Sequence, residues 1–124
     1  MRSLFVVFLL LVGSAAWCKC SLIAYSVSGR VLDATGRPVS GVELAVEWSQ
    51  LGKIERVATS TSSDGTYNLT IPFYPSTGVY LKDRGDICTA VLSEFHATAI
   101  RGAAKKDRTV QITGEVTSVD WVFN

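Results

Sequence analysis

Three cysteines and one histidine carry most of the chemical potential of this chain. Cys18, Cys20 and Cys88 follow or lie beyond an opening that reads as an export device, and cysteines in an oxidising compartment form pairs. Cys20 with Cys88 is the preferred disulfide, with Cys18 as the alternative donor. The bridge would tie an N-terminal arm to the middle of the domain. The other reading of Cys88 is a small buried hydrophobe. Cys18 is also a lipidation candidate, although an acylated cysteine wants a small residue before it and here Trp17 fills that place. His96 alone cannot assemble a zinc triad. Its first reading is an ordinary strand residue. A Ser-His-Asp grouping stays open by residue count, but no nucleophile elbow of the G-x-S-x-G kind is present. No metal and no cofactor are expected, and the chain is expected not to be an enzyme.

Aromatic rings offer a different chemistry, stacking against sugars. Phe73 and Tyr74 lie between Pro72 and Pro75 in the segment PFYPSTG, and are the ligand-contact candidates if that loop is open. The other reading is a loop tucked over the end of the domain. Trp48 and Trp121 have the parity of inward-facing residues and read as core. Arg84, Gly85 and Asp86 spell an integrin-recognition tripeptide, but a glycine flanked by charges is also an ordinary turn. Asn68-Leu69-Thr70 is a glycosylation sequon, usable in a eukaryotic secretory pathway.

The elements that position these residues come next. Met1 and Arg2 precede an unbroken apolar run from Leu4 to Val12, followed by the small residues Gly13, Ser14, Ala15 and Ala16. This is the pattern of a secretory signal peptide over 1–16, cut somewhere in 16–20. The run is too short to span a bilayer, which needs roughly 20 residues. No second apolar run follows, so no transmembrane helix is expected after signal removal, and membrane attachment is expected only through a lipidated Cys18. The net charge is +1, from 12 basic and 11 acidic residues, without a basic stripe. No nucleic-acid partner is expected.

From Tyr25 the alternation has the period of two that a half-buried strand requires. Val27, Gly29 and Val31 share one face. Val42, Leu44, Val46 and Trp48 form the cleanest row, against Glu43, Ala45 and Glu47. Residues 54–62 read as a strand, and Asp64-Gly65 as a tight turn. Tyr67, Leu69 and Ile71 alternate with Thr66, Asn68 and Thr70. Residues 79–82 read as a short strand, 87–100 as one long strand or two, favoured over a short helix around Leu92 to Ala97, and 101–108 as a charged loop. Residues 109–113 and 116–123 read as the closing strands. Strands at this spacing, with no helices between them, give an all-β antiparallel sandwich of seven or eight strands over 25–124.

The stretch VSGRVLDATGRPVSGVELAVEW, followed by TSSDGTYNLTIP, resembles a carboxypeptidase regulatory-like domain. Gly29, Val31, Asp33, Gly36, Pro38, Gly41 and Val42, then Asp64, Gly65, Tyr67 and Leu69, carry the resemblance. It implies a transthyretin-like (prealbumin-like) Greek-key sandwich. It also implies an accessory module, since such domains serve unrelated proteins. The zinc peptidase domain that gives the family its name is absent. Intradiol-dioxygenase iron sites, built on a similar sandwich, need two histidines. The expectation is therefore a secreted or periplasmic, cell-envelope module without catalysis. Its role would be structural or protein-binding, and its partner an unknown protein or glycan. The alternative is a carbohydrate-binding module using Phe73 and Tyr74.

Overall fold

The computed structural model describes residues 20–124. The signal-peptide reading of 1–16 and the lipidation reading of Cys18 fall outside the described residues. Strand β1 (Ile23–Asp33) is followed by the hairpin β2 (Glu43–Gln50) and β3 (Lys53–Ser60), then β4 (Thr66–Phe73). Two short strands, β5 (Tyr80–Leu81) and β6 (Gly85–Asp86), pair only with each other. A second hairpin, β7 (Glu94–Arg101) and β8 (Ala104–Gln111), precedes β9 (Val116–Ser118) and β10 (Trp121–Phe123).

The strands form the two sheets of a β-sandwich. One has the order β3-β2-β7-β8; in the other, β1 lies between β4 and the β9/β10 pair. Pairing is antiparallel except where β9 and β10 run parallel to β1, which they reach by crossing from the opposite sheet. The alternation read from the sequence is the alternation of burial. Val27 and Val31, then Leu44, Val46 and Trp48, then Tyr67, Leu69, Ile71 and Phe73 all face the core. Phe95, Ala97 and Ala99 join them from β7, and Val119, Trp121 and Phe123 close the core from the far end of the chain.

Two stretches differ from the sequence reading. Residues 87–93 form a loop ahead of β7, because Cys88 is drawn aside to meet Cys20. Residues 101–108, expected as a charged loop, are a hairpin turn and the first half of β8. The charges there suit a sheet edge. Lys106 lies over the Phe123 ring, 5.4 Å from its centre, and Arg108 over Trp121 at 4.4 Å. The two basic side chains also donate to the carbonyls of Val122 and Asp120. Inward-pointing cations of this kind discourage a further strand from adding, and each cation over an aromatic face is favourable.

The two turns marked by Asp-containing motifs are built the same way. Asp33 Oδ1 accepts from the N–H of Thr35, the N–H of Arg37 and the Thr35 hydroxyl. Asp64 accepts from the hydroxyls of Ser62 and Thr66 and from the Thr66 N–H, which holds its carboxyl down to about 2 from 3.8. Because the folded pKa is depressed, this contribution is present above pH 3.8 and is lost as the pH falls through about 2. Asp64→Asn is therefore expected to flatten the fall in urea midpoint between neutral pH and pH 2 relative to wild type. Identical acid profiles for the two proteins would remove Asp64 from the account.

Candidate functional site

A groove of about 570 Å³ lies at one end of the β3-β2-β7-β8 sheet. Its floor is apolar: Trp48, Phe73, Leu92 and Phe95 reach it from inside the sandwich. Its lip is a mixture. Ser49, Gln50, Ser93 and Thr109 supply hydroxyls and an amide, Glu47 and Glu94 supply negative charge, His96 supplies an imidazole, and Leu51, Ile54 and Val91 supply exposed aliphatic surface. The lining residues come from β2, β3, β4, β7, β8, the β2–β3 turn, the segment after β4 and the loop 87–93, so pairing of strands distant in sequence assembles the site. Glu47 is opposite His96 across β2–β7, and His96 is opposite Thr109 across β7–β8.

The β2–β3 connection brings Leu51 to this lip. Gln50 pairs with Lys53, leaving Leu51 and Gly52 as the two central residues of the turn, at φ 51° and 79°. A tight hairpin turn of this twist needs positive φ at both positions, which Asn-Gly adopts without strain and a leucine does not. Leu51 then lies over Gly78, where an added methyl would meet its Cδ2 at 3.5 Å. Behind the groove, Gln50 grips the segment after β4. Its amide donates to the Tyr74 carbonyl at 2.6 Å and accepts from the Tyr74 N–H at 2.9 Å.

The disulfide is the expected one, Cys20 with Cys88, and Cys88 is not an unpaired core residue. Its surroundings account for Tyr74. The Tyr74 hydroxyl accepts from the Cys20 N–H at 3.2 Å and donates to Asp86 Oδ2 at 2.8 Å, which raises its pKa. Asp86, the last residue of the Arg84-Gly85-Asp86 tripeptide, is thus engaged within a short hairpin. Phe73 is the last residue of β4, buried edge-on against Tyr25 with ring centres 6.2 Å apart. The segment after β4 is tucked over the sandwich end. Phe73 is buried and contributes to the groove floor, whereas Tyr74 is half-buried, with its hydroxyl held between Cys20 and Asp86.

His96 stands on the outward face of β7, with Nε2 3.8 Å from Asp107 Oδ1 and both side chains about half exposed. It has an acid beside it, and Ser49 and Ser93 line the same groove, but neither serine is hydrogen-bonded to it. Among the described residues no group of three His, Cys, Asp or Glu side chains is placed to hold a metal ion. Among them, too, no helix is long and apolar enough to cross a membrane.

No family model and no curated protein matches the chain. Solved structures do match it. One is the dioxygenase domain of a dioxygenase–carbohydrate-binding protein fusion from the cellulolytic bacterium Streptomyces sp. SirexAA-E. The two are 17% identical with a TM-score of 0.55, over 82% of this chain and 80% of that one. A dioxygenase domain shares this fold. At that identity the likeness concerns the fold alone, but it corrects one expectation. The sandwich does not mark the chain as a non-enzyme, because a domain similar to it is catalytic.

The groove is what sequence reading missed. The alternation of β2 places Glu47 and Ser49 on the outer face, but nothing local says that β7 lies beside them. Gly52 alone hinted at a turn between two alternating runs, but Leu51 before it is not a residue that marks a two-residue hairpin.

Proposed function

We propose that this chain is an exported binding module that holds a protein partner in the groove beside β2 and β7. On this reading it is a carboxypeptidase regulatory-like, transthyretin-like domain over 25–124, preceded by a signal peptide, and it works at the cell envelope or outside the cell. One observation carries the proposal. Leu51, Ile54 and Val91 gather half or more exposed at the lip of an apolar-floored groove, which is the kind of surface that marks docking. The disulfide supports an oxidising compartment. The turn residues Gly36, Gly41 and Gly65, all at positive φ, support the family reading.

A glycan partner is the second reading. It is favoured by the hydroxyl and amide groups of Ser49, Gln50, Ser93 and Thr109 on the lip. The similar structure also belongs to a fusion with a carbohydrate-binding protein. A peptide array and a glycan array probed with the same protein separate the two. Retention on peptides, lost when Ile54 and Val91 are both changed to serine, is the expected result. Retention on glycans alone, unaffected by that double change, would overturn it.

A further inference from the structure

The geometry points to a particular chemistry for the groove's partner: an extended protein segment with aliphatic side chains flanked by lysine or arginine. This rests on the reading of the groove as a protein-docking site and goes one step further. The lining includes two glutamates and no lysine or arginine. Glu47 is partly neutralised, since Arg56 lies 3.9 Å away and also reaches Glu43 at 3.5 Å. Glu94 has no ion-pair partner among the described residues. Asp107 adds a third carboxylate beside His96, just beyond the lip. The neighbouring strand β8 holds cations, but Lys106 and Arg108 are turned to the opposite face, over Phe123 and Trp121. Lys105 is opposite Ile100, towards the far end of the sheet. Lys53, opposite Gln50 at the start of β3, and Arg56 are the cations nearest the lip, and Arg56 is already engaged with Glu43 and Glu47. Three carboxylates, Glu47, Glu94 and Asp107, against these two cations leave an acidic excess centred on Glu94, and complementary charge selects a basic segment.

The aliphatic half of the inference comes from the lip. Leu51, Ile54 and Val91 are 52%, 69% and 75% exposed. Leu51 also occupies a backbone conformation that disfavours leucine, at φ 51°. Asn would relieve the turn, and the leucine packs against Gly78 while about half of its surface stays open. A side chain held against local preference, at the edge of a groove and open to solvent, fits a contact residue. Stability and binding should therefore respond to Leu51→Asn with opposite signs.

The test uses the disulfide-bonded protein and three acetylated, amidated hexapeptides. One has two central leucines flanked by lysines, one the same leucines flanked by glutamates, and one two serines flanked by lysines. Binding is followed by calorimetry and by amide chemical shifts around the groove. The lysine–leucine peptide is expected to bind roughly tenfold tighter than either control. Glu94→Gln should weaken it about two- to fivefold, with a smaller effect in high salt. Leu51→Asn should weaken it roughly tenfold while raising the melting temperature. If the two leucine peptides bind equally and Leu51→Asn weakens both, the groove still docks protein and the basic partner is wrong. If cellohexaose shifts the groove amides and no peptide does, the protein-docking reading itself falls. A Leu51→Asn protein that melts lower and binds like wild type would overturn the role given to Leu51.

Discussion

A Cys88→Ser protein is expected to unfold about 4 kcal/mol more easily than wild type, and reduced wild type should match it. The bridged residues are 68 apart in sequence. Cross-linking over a loop of that size removes much of the freedom of the unfolded chain, and on the chain-entropy model this sets the magnitude. The folded-state loss is local. The segment that follows β4 is held by few backbone bonds, from Thr77 to Ile87, Ile87 to Val79 and Ala90 to Pro75. Cys20 adds a bond from its N–H to Tyr74. Without the bridge, the N-terminal arm no longer anchors this segment, and its residues Ser76 and Ala90 through Ser93 form a wall of the groove. Amide exchange at Ile87 and Ala90 should speed up far more than at the β2–β7 pairs. Urea titration of the oxidised and reduced forms is the direct measurement. A difference below about 1 kcal/mol would show that the arm is held by other contacts.

The sandwich was legible from the sequence where one strand faces one core. The row Val42, Leu44, Val46 and Trp48 could be read inward without knowing its neighbours, and so could Tyr67, Leu69 and Ile71. Residues 101–108 were not legible, because Lys106 and Arg108 face inward over aromatic rings and invert the usual pattern. Cys88 was legible as a bridge but not as the reason that the strand begins only at Glu94. The candidate site was hardly legible at all. Phe73 and Tyr74 were singled out by residue type, whereas the groove depends on the pairing of Glu47 with His96 and His96 with Thr109. Alternation tells which face a residue is on; it does not tell which strand comes to lie beside it.

Gly29 was legible as a small residue in an apolar row, and the structure supplies a stronger reason for it. Gly29→Ala is expected to cost about 3–5 kcal/mol, which is exceptional for a single methyl. The Cβ of an alanine there would sit 1.9 Å from the Val119 carbonyl oxygen, 2.7 Å from its carbon and 3.0 Å from the Tyr67 hydroxyl. The first two are backbone atoms, so no side-chain rotation relieves the clash. Val119 is fixed in turn: its N–H donates to the Ser28 carbonyl at 2.8 Å, and its carbonyl accepts from the Tyr67 hydroxyl. That hydroxyl also accepts from Trp121 Nε1 at 3.3 Å, and the next residue, Asp120, accepts from the Arg30 N–H at 2.9 Å. The methyl therefore pushes the link between β9 and β10 off β1 and leaves buried polar groups unpaired. Tyr67→Phe removes the same hydroxyl without adding volume and should cost about 1–3 kcal/mol. If both changes act on one bonded cluster, the double variant should lose clearly less than the sum of the two single losses. Additive losses would mean that Gly29 and Tyr67 support β10 separately. A Gly29→Ala protein within about 1 kcal/mol of wild type would mean that the backbone at Val119 can move aside at little cost.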